Sequence, residues 1–372
     1  MAEALPRAVT ALVGVRVLNQ LGAFALPFLA VLAGPELAPA ALAVFGVAAL
    51  VSRWAGGLLL DRLTPRTTAA LGLTATGAML FVLAAARTPT QVVVAGGLVG
   101  LAFEIYEPAT QELLARATCG GQRRRAYALL GTALVAAGAI GGLLAAVLLP
   151  LGVRRLMVAD AVTCLLAAAL TLFLPGGPAP PAVNGRRRWR PPAPLVRSTV
   201  AGTAFAYGYL GVLMFVPLVL LQRGAPRWLP GLAITGAALL APLAARLSHR
   251  RLETRPHGPV LGIGSLLLGV LALLMAAGND VPGTVPVYLA WMAVNGVVLG
   301  RWQAMIAEAA PEADRTRWFA FFGSSWGIAQ PTVPTVVALA AGPAGGTAAA
   351  ALLTAGVAFL AVPVLLAGPR AR

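Results

Sequence analysis

Long apolar stretches separated by short polar turns follow one another along the entire chain. Most stretches have about 20 to 23 residues, the length that an α-helix needs to cross the hydrocarbon core of a bilayer. Proline, glycine and arginine mark the turns between them. The pattern predicts twelve transmembrane helices, at residues 8–33, 38–60, 66–86, 90–114, 127–149, 155–174, 198–221, 228–247, 258–277, 284–307, 318–341 and 346–367.

The segment between the sixth and seventh predicted helices has a different composition. Residues 175–197 are rich in proline and contain five arginines, so the segment is too polar to cross a membrane and unsuited to fold alone. We interpret it as a linker between two domains. The sequence thus predicts an N-terminal six-helix bundle at 1–174 and a C-terminal six-helix bundle at 198–372.

The overall composition excludes a large soluble domain beside these helices. Of the 372 residues, 59% are hydrophobic and only 11% are charged, and the mean hydropathy is +0.84. A soluble domain has roughly 45–50% apolar and about 25% charged residues. A soluble enzyme with a membrane anchor is therefore excluded, and we expect the lipid bilayer to surround the chain.

All 28 basic residues are arginine, and their distribution predicts the orientation of the helices. If the N-terminus lies inside the cell, 20 arginines fall in inner turns, the linker and the termini, and five fall in outer turns. Because basic residues favour the cytoplasmic side, we expect both termini in the cytoplasm and the protein in the inner (plasma) membrane. The net charge of +16 then reflects orientation, and nucleic acid is not expected as a partner.

Few side chains suited to catalysis or metal binding lie in the predicted helices. Cys119 falls in a turn and Cys164 in a helix, while His249 and His257 share one inner turn. No predicted helix carries paired histidines or a histidine–glutamate metal motif. We therefore expect no metal site, no cofactor and no enzymatic activity.

An internal repeat relates the two halves of the chain. Residues 111–131 align without a gap with residues 303–323, and the seven identical positions of 21 include a glutamine, two arginines and a glycine. Both segments contain the inner turn after the fourth helix of their half. An internal repeat of six-helix units would produce this placement.

The inner turn between the second and third helices carries a motif. In residues 57–67, GLLLDRLTPRT, Gly57 precedes the pair Asp61 and Arg62, and Arg66 follows four residues later. This turn resembles the signature loop of the major facilitator superfamily, G-x-x-x-D-R-x-G-x-R-R. The glycine would allow close helix approach, and the aspartate could accept hydrogen bonds from a helix N-terminus or pair with arginine.

Together with the helix count, the linker and the repeat, the resemblance covers nearly the whole chain. It implies an all-α membrane protein of twelve transmembrane helices in two six-helix repeats, which moves a small-molecule substrate by alternating access. The signature loop would control conformational switching. Thr64 and Thr67 replace a glycine and a basic residue of the family pattern, and Ala245 stands where the second half would need the aspartate.

The fifth predicted helix contains Gly131, Gly138, Gly141 and Gly142 and is similar to the glycine-rich fifth helix of the family's drug/proton antiporters. The antiporter pattern has a Gly-Pro pair where this chain has Ala137-Gly138. The similarity implies proton-coupled efflux of a small lipophilic or cationic compound, and we expect a monomer. Close packing of helices would explain the same glycines.

Two other functions remain open from the sequence. A transporter of a neutral metabolite such as a sugar would need several aromatic and amide side chains around one cavity. A non-transporting membrane sensor or scaffold could use the same fold. Only measurements of transport distinguish these alternatives.

Ionisable side chains inside a bilayer usually line a pathway or pair with one another. Arg16, Asn19 and Gln20 lie on one face of the first helix, and Glu104 and Glu107 lie on one face of the fourth. The arginine and the second glutamate lie at similar depth, so they can pair. We expect one arginine to face two glutamates, with Glu107 as the proton-coupling group, unless the pair is a permanent structural one.

The predicted helices contain further polar and aromatic positions. Arg301 has a depth similar to that of Glu107 and could lock the cytoplasmic side when the halves close, or it could extend to the inner surface. For Asp160 we expect local pairing with Arg155. Side chains that could contact substrate, or else serve packing, are Asn19, Gln20, Tyr207, Trp291, Asn295, Gln303 and Gln330.

Overall fold

Helices account for nearly all of the chain in the computed structural model, which describes residues 6–118, 120–174, 190–311 and 314–367. Within these ranges the α-helices are α1 (Arg7–Leu21), α2 (Ala25–Ala33), α3 (Ala38–Leu60), α4 (Pro65–Ala85), α5 (Pro89–Phe103), α6 (Tyr106–Arg116), α7 (Gly120–Leu148), α8 (Val153–Thr171), α9 (Ala193–Gln222), α10 (Leu229–Leu252), α11 (His257–Ala277), α12 (Val281–Ala309), α13 (Arg315–Ala340) and α14 (Thr347–Ala367). The predicted linker ends earlier than expected, because α9 already begins at Ala193, after the N-cap Pro192. Residues 175–189 of the linker and the terminal residues 1–5 and 368–372 lie outside this description.

These helices form twelve transmembrane spans, as the sequence predicts. The pairs α1–α2 and α5–α6 each make one span, and every other helix makes one. In the described residues, ten spans are long and apolar enough to cross a membrane by length and composition. The remaining two, α8 and α13, occupy the sixth and eleventh positions of the same pattern. The all-helical fold class is therefore confirmed.

The first span is broken, whereas the sequence pattern predicts a continuous helix. Gly22 ends α1 where α8 comes so close that a Cβ atom would lie 1.9 Å from Thr163 Oγ1. The carboxylate of Asp160, also on α8, accepts hydrogen bonds from the backbone N–H groups of Phe24 and Ala25, both at 3.1 Å. A side chain of a distant helix thus supports the start of α2.

The fourth span is also broken, again contrary to the expectation of one helix. Pro108 lies in the first turn of α6, where its missing N–H group is tolerated, but it cannot continue a helix from α5. The backbone N–H of Glu104, in the break, donates to Ser52 Oγ at 2.9 Å. The break changes the direction in which Glu104 points relative to Glu107.

The two faces of the molecule differ in how the halves meet. We call the side with the signature loop the arginine-rich face and the other side the opposite face. On the opposite face, a Cβ atom at Gly231 of α10 would lie 2.2 Å from the backbone nitrogen of Ala146 of α7. Nearby, Thr235 Oγ1 donates to the carbonyl of Ala139 at 3.0 Å. The halves are therefore in close contact on the opposite face.

A second contact closes the same face. Thr347, at the start of α14, donates to the carbonyl of Pro35 in the turn between α2 and α3, at 2.8 Å. Farther in, Gly46 of α3 packs on the backbone of Pro331 of α13. The space between the halves consequently lies on the arginine-rich side of these contacts.

Candidate functional site

An ion pair joins the first and fourth spans in the N-terminal half. Arg16 donates to Glu107, and its guanidinium lies 5.3 Å from the ring centroid of Tyr106. Gln111 donates to the other carboxylate oxygen of Glu107 at 3.1 Å. The side chains of the pair are 13% and 32% exposed, in the same order. The glutamate is thus paired but still accessible.

The expectation that one arginine faces two glutamates is wrong. Glu104 pairs instead with Arg53 of α3 at 3.3 Å, because the break before α6 turns it toward that helix. Arg53 falls within the predicted helix 38–60, but its position in the sequence gives no sign of this partner. Each glutamate therefore has its own arginine. In the described residues, no group of three or more His, Cys, Asp or Glu side chains could hold a metal ion.

A chain of hydrogen bonds extends from the ion pair into the bundle. Asn19 Nδ2 donates to the hydroxyl of Tyr106 at 2.8 Å, and Cys164 Sγ lies 3.5 Å from Asn19 Oδ1 and 3.6 Å from Asp160 Oδ1. The expected pairing of Asp160 with Arg155 is wrong, since the carboxylate turns inward to α2 and is 4% exposed. This network links the ion pair to the break in the first span.

A cavity of about 630 Å³ lies between the halves. Its walls come from α1 and α7 on one side and from α9, α10, α12 and α13 on the other. Three of the predicted substrate contacts line it, namely Gln20, Asn295 and Gln303. A smaller cavity of about 330 Å³ adjoins it toward the opposite face, and the two share Gln20 and Tyr209 among their lining residues.

The other predicted substrate contacts lie elsewhere. Asn19 is engaged by Tyr106, and Tyr207 lies beside Thr354 of α14. Trp291 is fully buried behind the cavity wall, with stacked rings on either side. Gln330 lies where α13 packs on α3. The sequence predicted which helix each of these residues belongs to and how deep it lies, but not the direction in which its side chain points.

Aromatic side chains that the sequence analysis missed line the cavity on the C-terminal half. They are Phe205, Tyr209, Trp302, Phe322 and Trp326. Phe205 and Tyr209 are four residues apart on α9, and Phe322 and Trp326 are four apart on α13, which places each pair on one helix face. This spacing could have indicated an aromatic face on each helix from the sequence. It does not show whether that face lines the cavity.

The signature loop is exposed on the arginine-rich face. Asp61 ends α3, and Asp61 and Arg62 are both exposed. No described residue of another helix lies within 4 Å of the Cβ position of Gly57, so the described helices make no close approach there, whereas a Cβ at its neighbour Gly56 would lie 2.9 Å from a carbonyl of the fourth span. The two departures from the family pattern contact each other, because Thr64 caps α4 by accepting a hydrogen bond from the N–H of Thr67 at 3.2 Å.

Arg301 is directed to the end of a neighbouring helix. Its guanidinium donates to the carbonyls of Leu252 at 2.5 Å and Arg255 at 3.3 Å, where α10 ends on the arginine-rich face. A cation is favourable near these carbonyls, because they carry the negative end of the helix dipole. The side chain thus extends toward this face in the present conformation.

Comparisons with known proteins agree with this architecture. The structure superposes on the peptide-transporter-family (POT) protein PepTSo with a TM-score of 0.79 over 98% of both chains, at 11% sequence identity. It superposes on a D-xylose–proton symporter with a TM-score of 0.77 over 96% of both chains, at 12% sequence identity. It also superposes on the nucleoside transporter NupG with a TM-score of 0.75 over 97% of this chain and 98% of that chain, at 14% sequence identity.

These low identities show a shared fold and do not identify a substrate. No curated protein sequence matches the chain. The sequence profile of the major facilitator superfamily matches residues 10–300, which is more than three quarters of the chain. With its twelve spans, signature loop and repeated halves, the chain belongs to the major facilitator superfamily.

Proposed function

We propose that the protein is a secondary active transporter that works by alternating access and exports a small lipophilic or cationic compound in exchange for protons. Family and fold point to a transporter rather than an enzyme. The observation that carries the proposal is a cavity between halves whose contacts, in the described residues, close the opposite face. Rocking of the halves would expose this cavity to the other side.

The arginine-rich face is proposed to be cytoplasmic, with both termini and the segment that joins α8 to α9 on that side of the inner (plasma) membrane. The excess of arginine supports this orientation. Labelling of single cysteines in a background without native cysteines would test it. A cysteine at Arg190 should react with an impermeant reagent only after the cells are opened, and reaction in intact cells would reverse the orientation.

Glu107 is proposed to couple transport to protons, with Arg16 as its charge partner and Glu104 as a helper. A carboxylate that exchanges between an arginine and water as the halves move would bind and release a proton in each cycle. The salt bridge and the exposed part of Glu107 support this role. The side chain of Glu104 is 15% exposed against 32% for Glu107, which makes Glu107 the more accessible of the two candidates.

The variant Glu107→Gln should abolish uphill transport and leave exchange of substrate intact, because it removes the proton but nearly preserves the shape. Proteoliposomes with an imposed pH gradient and a neutral probe, N-phenyl-1-naphthylamine, or a cationic probe, ethidium, would measure both reactions. Glu112→Gln is the matched control, since Glu112 lies on the same helix and pairs with Arg116 on the surface. Uphill transport by Glu107→Gln would assign proton coupling to another residue.

The signature loop is proposed to control switching rather than to bind substrate. Gly57, Asp61, Arg62 and Arg66 lie at or near a turn outside the cavity. No described residue of another helix lies near the Cβ position of Gly57 in this conformation, which is closed on the opposite face. This supports a role for Gly57 in a helix contact that forms when the arginine-rich face closes.

A transporter of a neutral metabolite is the second candidate, because the described cavity walls carry amides and aromatic rings but no charged side chain. Movement of a sugar such as D-xylose, and of neither N-phenyl-1-naphthylamine nor ethidium, would favour it. A membrane sensor would move none of the three compounds.

A further inference from the structure

Three arginines lie close together on the opposite face, where arginine is otherwise rare. Of the five arginines in the predicted outer turns, three are Arg87, Arg154 and Arg155, and we call them the arginine cluster. Arg87 follows α4, and the other two lie in the first turn of α8, which contains no acidic residue. Arg154 donates to the carbonyl of Ala86 at 2.9 and 3.2 Å, so the end of α4 and the start of α8 meet here.

The charge of the arginine cluster is not balanced within the described part of the chain. No carboxylate of these residues forms an ion pair with any of the three arginines. A guanidinium also has more N–H donors than the single carbonyl of Ala86 uses. The cluster therefore keeps both positive charge and hydrogen-bond donors for an anion.

Gln91, near the start of α5, adds a neutral donor at the same place. Its amide oxygen accepts hydrogen bonds from the backbone N–H groups of Arg87 and Thr88, at 2.8 and 3.1 Å. Because the oxygen is turned to the backbone, the NH₂ group of this exposed side chain is left to donate outward. Guanidinium groups bind phosphate through paired N–H···O contacts, and an amide donor can complete such a site.

An apolar groove of about 450 Å³ runs from Gln91 into the membrane, between α4 and α5. Ala86 and Ala95 are buried at its floor, and its exposed sides are formed by Val82, Val94 and Leu98. From Gln91 to Leu98 the groove follows two helical turns, which is about 10 Å along the axis. This length is much of the depth of one bilayer leaflet, which is roughly 15 Å.

The order of the two features matches that of a phospholipid. The groove lies on the lipid-facing side of two transmembrane spans, with the arginine cluster at its outer end. A phospholipid has its phosphate at the membrane surface and its acyl chains below it, whereas a free phosphate would use the polar end alone. A zwitterionic lipid would also place an ammonium group near three cations, which repel it.

We propose that this surface binds an anionic phospholipid such as phosphatidylglycerol, with its phosphate at Arg87, Arg154 and Gln91 and one acyl chain in the groove. The groove shares no lining residue with the cavity between the halves. The lipid site is therefore separate from the proposed transport pathway.

Photocrosslinking of the purified full-length protein in phosphatidylcholine nanodiscs tests this site. The probes are phosphatidylglycerol and phosphatidylcholine with the same diazirine in one acyl chain. Mass spectrometry of the tryptic segment 67–116, which contains the groove, gives the mole fraction of probe at half-maximal labelling. We expect this mole fraction to be lower for phosphatidylglycerol by about fivefold or more, and excess inorganic phosphate should not displace the probe.

The variant Arg87→Gln changes an exposed side chain and should keep the melting temperature of the wild type. It should raise the half-maximal mole fraction of phosphatidylglycerol about fivefold and leave that of phosphatidylcholine unchanged. Ala85→Leu narrows the groove at a lipid-exposed position and should weaken labelling by phosphatidylglycerol with the charges retained. The matched control is Arg227→Gln, since Arg227 is exposed on the same face outside the groove, and it should alter neither value.

Three results would overturn the proposal. They are equal half-maximal mole fractions of the two probes on folded wild-type protein, displacement of the probe by inorganic phosphate, and unchanged phosphatidylglycerol labelling in Arg87→Gln. Displacement by phosphate would assign the arginine cluster to a free anion instead. None of these measurements needs transport, so the lipid site and the proposed function can fail independently.

Discussion

Two backbone N–H groups at the start of α2 depend on one carboxylate, that of Asp160. In Asp160→Ala these buried groups lose their acceptor, and each unsatisfied group costs roughly 1–3 kcal/mol. We expect a clear fall in the melting temperature of the purified protein. Asp160→Asn retains one acceptor oxygen and should be milder.

Asp314→Ala is the matched control, because Asp314 pairs with Arg317 near the surface, where such pairs contribute about 0–1 kcal/mol. Its melting temperature should stay near that of the wild type. Equal melting temperatures for Asp160→Ala and the wild type would mean that the α2 terminus finds another acceptor, such as water.

The sequence predicts how deep in the membrane each candidate site residue lies along its helix. Arg16 and Glu107 lie at matched depths, and the structure brings them together. The partners Arg53 and Asp160 could not be inferred in this way, since they reach breaks whose positions depend on packing with another helix. Periodicity locates a residue on its own helix, whereas partners are set by tertiary contacts.

Close contact between α7 and α10 is the element that holds the opposite face shut. The backbone of α7 lies so close to Gly231 that it leaves no room for a Cβ atom. The variant Gly231→Ala must therefore push the helices apart. We expect spin labels at Leu151 and Trp228, which are both exposed near this contact, to move farther apart. Pulsed electron–electron double resonance in nanodiscs would measure this distance.

Gly131→Ala provides the control for a glycine-to-alanine change in a helix, because open space surrounds its Cβ position on α7. Its label distance should match that of the wild type. An unchanged distance in Gly231→Ala would show that α7 and α10 can shift locally without opening the face.

Whole helices were predictable where hydropathy and turn chemistry agree. The third span begins at Pro65 after the cap Thr64, close to the predicted start. The two breaks were not predictable from hydropathy, because an apolar average does not change when a helix bends within the membrane. Gly22 lies at the first break and Pro108 at the second. Glycine and proline also occur in unbroken membrane helices, as Pro217 does in α9, so neither residue alone predicts a break.

The structure shows one conformation of the molecule, in which the opposite face is closed and the cavity lies on the arginine-rich side. The sequence pattern does not determine which conformation forms. Either conformation uses the same helices, the same repeat and the same signature loop. The difference lies in which ends of the halves touch, and these contacts are individually small, such as that of Thr235 with the carbonyl of Ala139. Transport by alternating access would need both arrangements to be close in free energy.

When the arginine-rich face closes, we expect Arg301 to leave the end of α10 and approach Glu107 on the repeat-related span. In the present conformation Arg301 is held by Leu252 and Arg255, so its contact with the glutamate would belong to the other state. In a background without native cysteines, the pair Glu107→Cys and Arg301→Cys should react with a short bismaleimide in cycling protein.

The pair Ala139→Cys and Thr235→Cys tests the present state, because these positions already touch across α7 and α10. Since irreversible crosslinks accumulate whenever a state is visited, no trapping ligand is needed. Prior crosslinking of this pair should prevent the reaction at 107 and 301, because the two contacts close opposite faces of one cavity. If the pair at 107 and 301 never reacts, or reacts equally after the opposite face is locked, the two residues do not form the gate.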